Sequence, residues 1–168
     1  MTSSRTAIHA WDVLATVPDP EIPVLSVVDL GIVRAVDESP DGCGVKVTLT
    51  PTYSGCPATE VIIRDVRTAL EANFDVVEVC VQLAPAWTTD WMSDAAKEKL
   101  AGFGIAPPAG RVLLPLLDAG SDPRGVPATC PRCGSAAVEE LAGFGSTPCK
   151  ALWRCTACRE PFDYFKNH

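Results

Sequence analysis

Histidine is almost missing from this 168-residue chain, which has only His9 and His168. Both lie near the termini. Cys–His nucleophilic catalysis therefore has no base in the body of the chain, and no Ser-His-Asp set can be assembled. Basic residues are also scarce. There are 14 Lys+Arg against 21 Asp+Glu, for a net charge of −7. Residues 1–120 hold 16 acids and 8 bases, and residues 121–168 hold 5 acids and 6 bases. Neither part carries the basic stripe that nucleic-acid binding requires. A protein or an uncharged small molecule is the expected partner. No apolar run approaches the roughly 20 residues of a membrane span. The opening MTSSRTAIHA lacks the continuous apolar stretch of a secretory signal. A glycine-rich phosphate loop and an internal repeat are absent too. The expectation is a soluble, cytoplasmic protein with no nucleic-acid or membrane partner.

Cysteine, by contrast, is plentiful at eight residues, and 47% of the chain is hydrophobic, enough for a packed core. In a reducing compartment those thiols read as metal ligands or reactive groups, not disulfides. Ile8, Trp11, Leu14 and Ala15 recur at helical spacing and predict a helix over 6–17, ended by Pro18, Pro20 and Pro23. The turn PDPEIP carries Asp19 and Glu21. LGIVRAV (30–36) predicts a strand, ESPDGCG a hairpin turn, and Val45, Val47 and Leu49 an antiparallel second strand. Ile62, Val66, Ala69 and Leu70 mark one face of a helix over 58–72. VVEVCVQL (76–83) predicts a third strand, with Cys80 in the core. Residues 89–102 predict a third helix, closed by Gly102 and Gly104. The predicted fold class is α+β. A small α-β-β-α-β-α sandwich over 1–104 leads through a Pro/Gly-rich linker (105–128), with the short strand RVLLPLL, to a cysteine-rich module over 129–168.

In that module Cys130, Cys133, Cys155 and Cys158 form C-x2-C-x21-C-x2-C. Two residues between thiolates let both sulfurs of a knuckle reach one ion, and Gly134 suits the turn behind the first knuckle. Four sulfurs make a closed tetrahedral site for structural zinc, and the same four could hold a rubredoxin-like iron. A segment this short needs such a staple. Cys149 is either an inert packed thiol or an extra ligand. Trp153, Phe162, Tyr164 and Phe165 read as module core.

The segment PTYSGCPA (51–58) poses a separate question. Pro57 suits the first position of a helix, which makes Cys56 the expected N-cap. There its sulfur would face free N–H groups and the positive end of the helix dipole, which favour a thiolate. Gly55 permits a sharp turn and leaves room beside the sulfur. Cys56 is placed either as a reactive or metal-binding thiol or as a chance cysteine in a turn. Cys43, in the hairpin turn, reads as incidental.

DPEIPVLSVVDLGIV (19–33) followed by TPTYSGCPA (50–58) resembles the small domain shared by iron–sulfur assembly factors of the SufT type and the eukaryotic cytosolic targeting complex. WTTDWMSDAAKEKLAGFGIAPP (87–108) and FGSTPCKALWRCTACREPFDYFK (144–166) resemble the PaaD (PaaJ) family of ring-1,2-phenylacetyl-CoA epoxidase, also called phenylacetate-CoA oxygenase. The resemblance implies that Cys56 is the characteristic functional residue, with Asp19 and Glu21 shaping its site. It also implies an accessory, non-catalytic role in aerobic phenylacetate catabolism. The client would be an oxygenase or reductase subunit, most directly the reductase's [2Fe–2S] cluster. A transient iron–sulfur cluster or iron at Cys56, iron–sulfur assembly proteins as partners, and a homodimer bridging a cluster are part of the same expectation. The chain itself lacks the Glu/His helix ligands of a di-iron site and any flavin or nicotinamide fingerprint. A thiol oxidoreductase and a purely structural zinc-bound subunit are the rival readings.

Overall fold

The computed structural model describes residues 9–109 and 125–168. The chain divides into two compact units, Met1–Trp87 and Thr88–His168. Helix α1 (Ala10–Leu14) is shorter than its periodicity suggested and starts where Glu38 Oε1 accepts from the Ala10 N–H at 2.7 Å. The acidic Asp-Pro-Glu turn follows. Asp19 is buried, and its Oδ1 accepts from the N–H groups of Glu21 (2.9 Å) and Ile22 (2.8 Å), which freezes the turn.

Strands β1 (Val33–Glu38) and β2 (Gly44–Leu49) form the predicted antiparallel hairpin, with a register shift between Val33 and Ala35. Gly42, at φ +70°, makes its turn. Helix α2 (Thr59–Glu71) buries Ile62, Val66 and Leu70, a stripe at i, i+4, i+8. It carries the chain over the sheet to β3 (Val76–Val81), which pairs parallel with β2, giving the order β1-β2-β3. Val45, Val47 and Leu49 are buried, while Lys46 between them faces solvent. This alternation is that of a sheet covered on one face. The first unit ends at Trp87, whose buried indole Nε1–H donates to the Leu30 carbonyl at 2.9 Å.

The second unit opens with a 3₁₀ turn (Thr89–Trp91) and α3 (Asp94–Phe103). Ser93 Oγ caps α3 by accepting from Ala96 N–H at 3.0 Å, and Gly104, at φ +92°, ends it. A four-stranded sheet follows, in the order β4-β7-β6-β5. Its members are β4 (Ile105–Ala106), β5 (Val138–Ala142), β6 (Lys150–Cys155) and β7 (Pro161–Phe165). Trp153, Phe162 and Tyr164 pack with Ala106, Ala151 and two of the cysteines as its core, and Phe165 is fully buried.

The predicted order α-β-β-α-β-α is the order observed. The division of the chain differs from the one expected. Its contacts put α3 with the cysteine-rich sheet, and Ile105–Ala106, read as linker, form a strand of that sheet, paired parallel with Asp163 and Tyr164. The segment RVLLPLL lies outside the described residues. Cys80 also departs from expectation. It lies on the face of β3 that Glu78 shares, half exposed, and its thiol donates to Glu78 Oε1 at 3.2 Å. It is not a core residue. No described helix is long and apolar enough to cross a membrane.

Candidate metal centre and the Cys56 turn

The four-cysteine knuckles are built twice from the same hydrogen bonds. In the first, Cys130 N–H donates to Ser135 O at 2.8 Å and Gly134 N–H to Cys130 O at 2.9 Å. In the second, Cys155 N–H donates to Glu160 O at 3.0 Å and Arg159 N–H to Cys155 O at 2.8 Å. Backbone N–H groups also approach the sulfurs: Arg132 to Cys130 Sγ at 3.4 Å, and Cys158 to Cys155 Sγ at 3.5 Å. The position after each second cysteine is left-handed, Gly134 at φ +73° and Arg159 at φ +66°. Sequence pattern pointed to this conformation at Gly134 alone. Aligning Cys-x2-Cys-Gly with Cys-x2-Cys-Arg would have exposed the second.

The turns bring four sulfurs together. All lie within 4.8 Å of one another, with Cys130–Cys158 at 3.9 Å and Cys133–Cys155 at 3.6 Å. A tetrahedron with zinc–sulfur bonds of about 2.3 Å has edges of roughly 3.8 Å. The sulfur cage therefore fits zinc, with Cys130, Cys133, Cys155 and Cys158 as its ligands. The Cys158 N–H holds the Cys155 thiol down to about 6, helped by the Ala157 N–H and opposed by burial. Cys158 moves the other way, up to about 12. The Glu160 N–H favours its thiolate, but burial and the sulfurs of Cys133, Cys155 and Cys130 outweigh it. Four clustered thiols thus resist ionising together, and a cation among them is what lets all four be thiolates. Cys149 lies outside this group. It is buried, with its sulfur 3.0 Å from Thr147 Oγ1.

Cys56 sits elsewhere, in the first unit. Its N–H donates to Tyr53 O at 3.2 Å, and its carbonyl accepts from Thr59 N–H at 3.1 Å. That second bond closes a tight i to i+3 turn over Pro57 and Ala58, so α2 begins at Thr59 with Ala58 as its cap. Cys56 is therefore not the N-cap, as expected, but stands ahead of it. The sulfur is half-exposed and makes no hydrogen bond with any described residue. A side chain added at Gly55 would meet nothing within 4 Å, so the space beside the sulfur is open. Asp19 spends its Oδ1 on the turn it caps, and Glu21 contributes its N–H to that cap. Among the described residues, Cys56, Asp19 and Glu21 do not form a clustered ligand set of the kind the four cysteines form.

Comparison with known proteins follows this division. Residues 9–81 match the family described as iron–sulfur cluster assembly protein, and residues 119–166 match the PaaD zinc beta ribbon domain. The class is thus an iron–sulfur assembly domain joined to a zinc ribbon. Within that class, the chain belongs to the PaaD family of 1,2-phenylacetyl-CoA epoxidase. It is 52% identical over 157 residues to the Escherichia coli strain K12 protein provisionally named as the PaaD-type component of 1,2-phenylacetyl-CoA epoxidase, covering 93% of this chain and 90% of that one. A Porphyromonas gingivalis Fe-S protein maturation auxiliary factor is 47% identical over 92 residues, 54% of this chain and 85% of that one. Among solved structures, a domain of unknown function (DUF59) from Bacillus anthracis aligns with a TM-score of 0.51 and 33% identity, over 54% of this chain and 87% of that one.

Proposed function

We propose that this chain is a cytoplasmic, non-catalytic accessory subunit of a phenylacetyl-CoA epoxidase system, and that it assembles or maintains a metal cofactor of that system. The iron–sulfur cluster of the reductase component is the cargo. The carrying observation is the Cys56 thiol, half-exposed, unbonded and flanked by open space, within the region that matches iron–sulfur assembly proteins. A sulfur offered in this way can hold iron, a cluster or a persulfide and release it, whereas a buried or hydrogen-bonded thiol is held back. One cysteine cannot complete a cluster's ligand set, so the client or a second copy supplies the rest. Asp19 and Glu21 act at one remove by fixing the acidic turn. The zinc ribbon supplies a rigid docking module for oxygenase or reductase subunits, with iron–sulfur assembly proteins as donors.

The test is Cys56→Ala in cells growing on phenylacetate. The variant should fold and accumulate normally while the reductase cluster is under-occupied and growth slows. A fully loaded reductase and normal growth would remove Cys56 from the function. Metal analysis of anaerobically purified protein separates the rivals. Zinc with iron and sulfide supports maturation, whereas zinc alone with thiol-exchange activity favours an oxidoreductase.

A further inference from the structure

Strand β3 is the outer strand of its sheet, with no strand paired beyond it among the described residues. Open edges invite pairing, and proteins usually blunt them with lysine, proline or a bulge. β3 has none of these. It reads VVEVCV, runs in unbroken register with β2, and carries a single charge at Glu78. Val76 is 67% exposed, Val81 42%, and Leu83 just beyond the strand 55%.

The backbone fixes which groups the edge offers. Val76 N–H donates to Cys43 O and Gln82 N–H to Leu49 O. In a parallel ladder alternate residues turn both backbone groups to the same neighbour. The even-numbered residues of β3 therefore face β2, and Val77, Val79 and Val81 point their N–H and C=O groups outward. Those three outward residues are all valine, spaced symmetrically about Val79 in V-E-V-C-V.

We infer that β3 pairs antiparallel with β3 of a second copy, about a two-fold axis through Val79. A two-fold contact must be self-complementary, and this strand is. Val79 meets Val79 and Val77 meets Val81, so every outward backbone group of the three valines gains a partner. Glu78 falls opposite Cys80 of the other copy. A shift of one residue toward the N-terminus would set Glu78 against Glu78 and leave Val81 opposite Asp75, outside the strand. A shift the other way would leave Val77 opposite Leu83. Charge and backbone pairing thus select the same register. The net charge of −7 per chain opposes association, but at physiological salt it is screened beyond about 8 Å. This inference stands apart from the maturation reading and needs no metal at Cys56.

The experiment uses the full chain with zinc present. Sedimentation should give twice the monomer mass. Val79→Pro should halve it with the circular dichroism spectrum unchanged, because the lost N–H points away from the chain's own sheet. Register is read by Glu78→Cys, which removes only a surface ion pair with Lys46. Opposite Cα atoms at about 4.5 Å allow a disulfide. Oxidised glutathione should therefore cross-link Glu78→Cys chains through the partner's Cys80, and the added Cys80→Ser change should abolish the link. A monomeric native chain would leave the edge to some other protein and overturn the inference. So would a dimer indifferent to Val79→Pro, or a Glu78→Cys chain that fails to cross-link through Cys80.

Discussion

Gly134 and Arg159 occupy the same place in two near-identical knuckles, and only one of them is suited to it. Both are left-handed and both donate to the carbonyl of the first cysteine. A side chain in that conformation costs roughly 1–2 kcal/mol. Consider Gly134→Ala first. An added Cβ meets nothing within 4 Å, so the cost is backbone strain alone. Restricting the unfolded chain returns about 0.4–1 kcal/mol, leaving a net loss of about 1 kcal/mol. Arg159→Gly runs the other way. The Arg159 side chain has no partner among the described residues, so nothing but strain is removed. Relief of about 1–2 kcal/mol, less the roughly 0.5–1 kcal/mol that glycine's extra freedom costs, leaves a gain of about 0.5–1 kcal/mol. Because folding of a small zinc module and metal binding are one equilibrium, both effects should appear as zinc affinity. Tenfold corresponds to about 1.4 kcal/mol. Gly134→Ala should hold zinc about fivefold more weakly and Arg159→Gly about two- to fivefold more tightly in chelator competition on the full chain. Unfolding of Met1–Trp87 should not move in either variant. Unchanged zinc retention in both would mean that the knuckle backbone is not strained at Arg159 and that the argument from φ fails.

Stripping the metal should unfold residues 125–168 and leave the Met1–Trp87 unit folded, because four thiolates substitute for a core too small to hold alone. Dispersed amide resonances from the ribbon after complete chelation would contradict this. Cys80→Ala should change stability by less than about 0.5 kcal/mol in urea unfolding, as befits a half-exposed thiol with one bond to a surface carboxylate. Trp87→Phe should cost the first unit about 1–3 kcal/mol, since it strands the buried Leu30 carbonyl. A loss near zero would mean that water reaches that oxygen.

The sequence exposed what is encoded over short covalent distances. Two residues between cysteines fix a knuckle whatever surrounds it, so the zinc cage was legible in full. The stripe Ile62, Val66, Leu70 and the alternation of Val45, Val47, Leu49 are local in the same sense. What escaped depends on neighbours. Cys80 looked buried because VVEVCVQL is apolar, yet its burial depends on whether another strand lies beside it, and among the described residues none does. The α2 cap was misplaced because proline at 57 permits a helix start there but does not compel one. The Cys56 carbonyl instead closes a tighter turn. Ile105–Ala106 became a strand only because β7 offered an edge to pair with.

That last pairing bears on how the molecule can be made and cut. Ile105 pairs with Asp163 and Ala106 with Tyr164, although the recognisable zinc ribbon begins at residue 119. During synthesis the first unit is complete once Trp87 has left the ribosome. The second must wait with β4 already exposed until β7 has emerged, because domains fold as whole units. A gene fragment opened at residue 119 would carry every zinc ligand and still leave the edge of β7 bare, with the Ala106 place in the core vacant. The ribbon is therefore poorly suited to be exchanged as a cassette between proteins. Its heritable piece extends upstream to include β4, and a fragment meant to fold on its own should begin near Thr88.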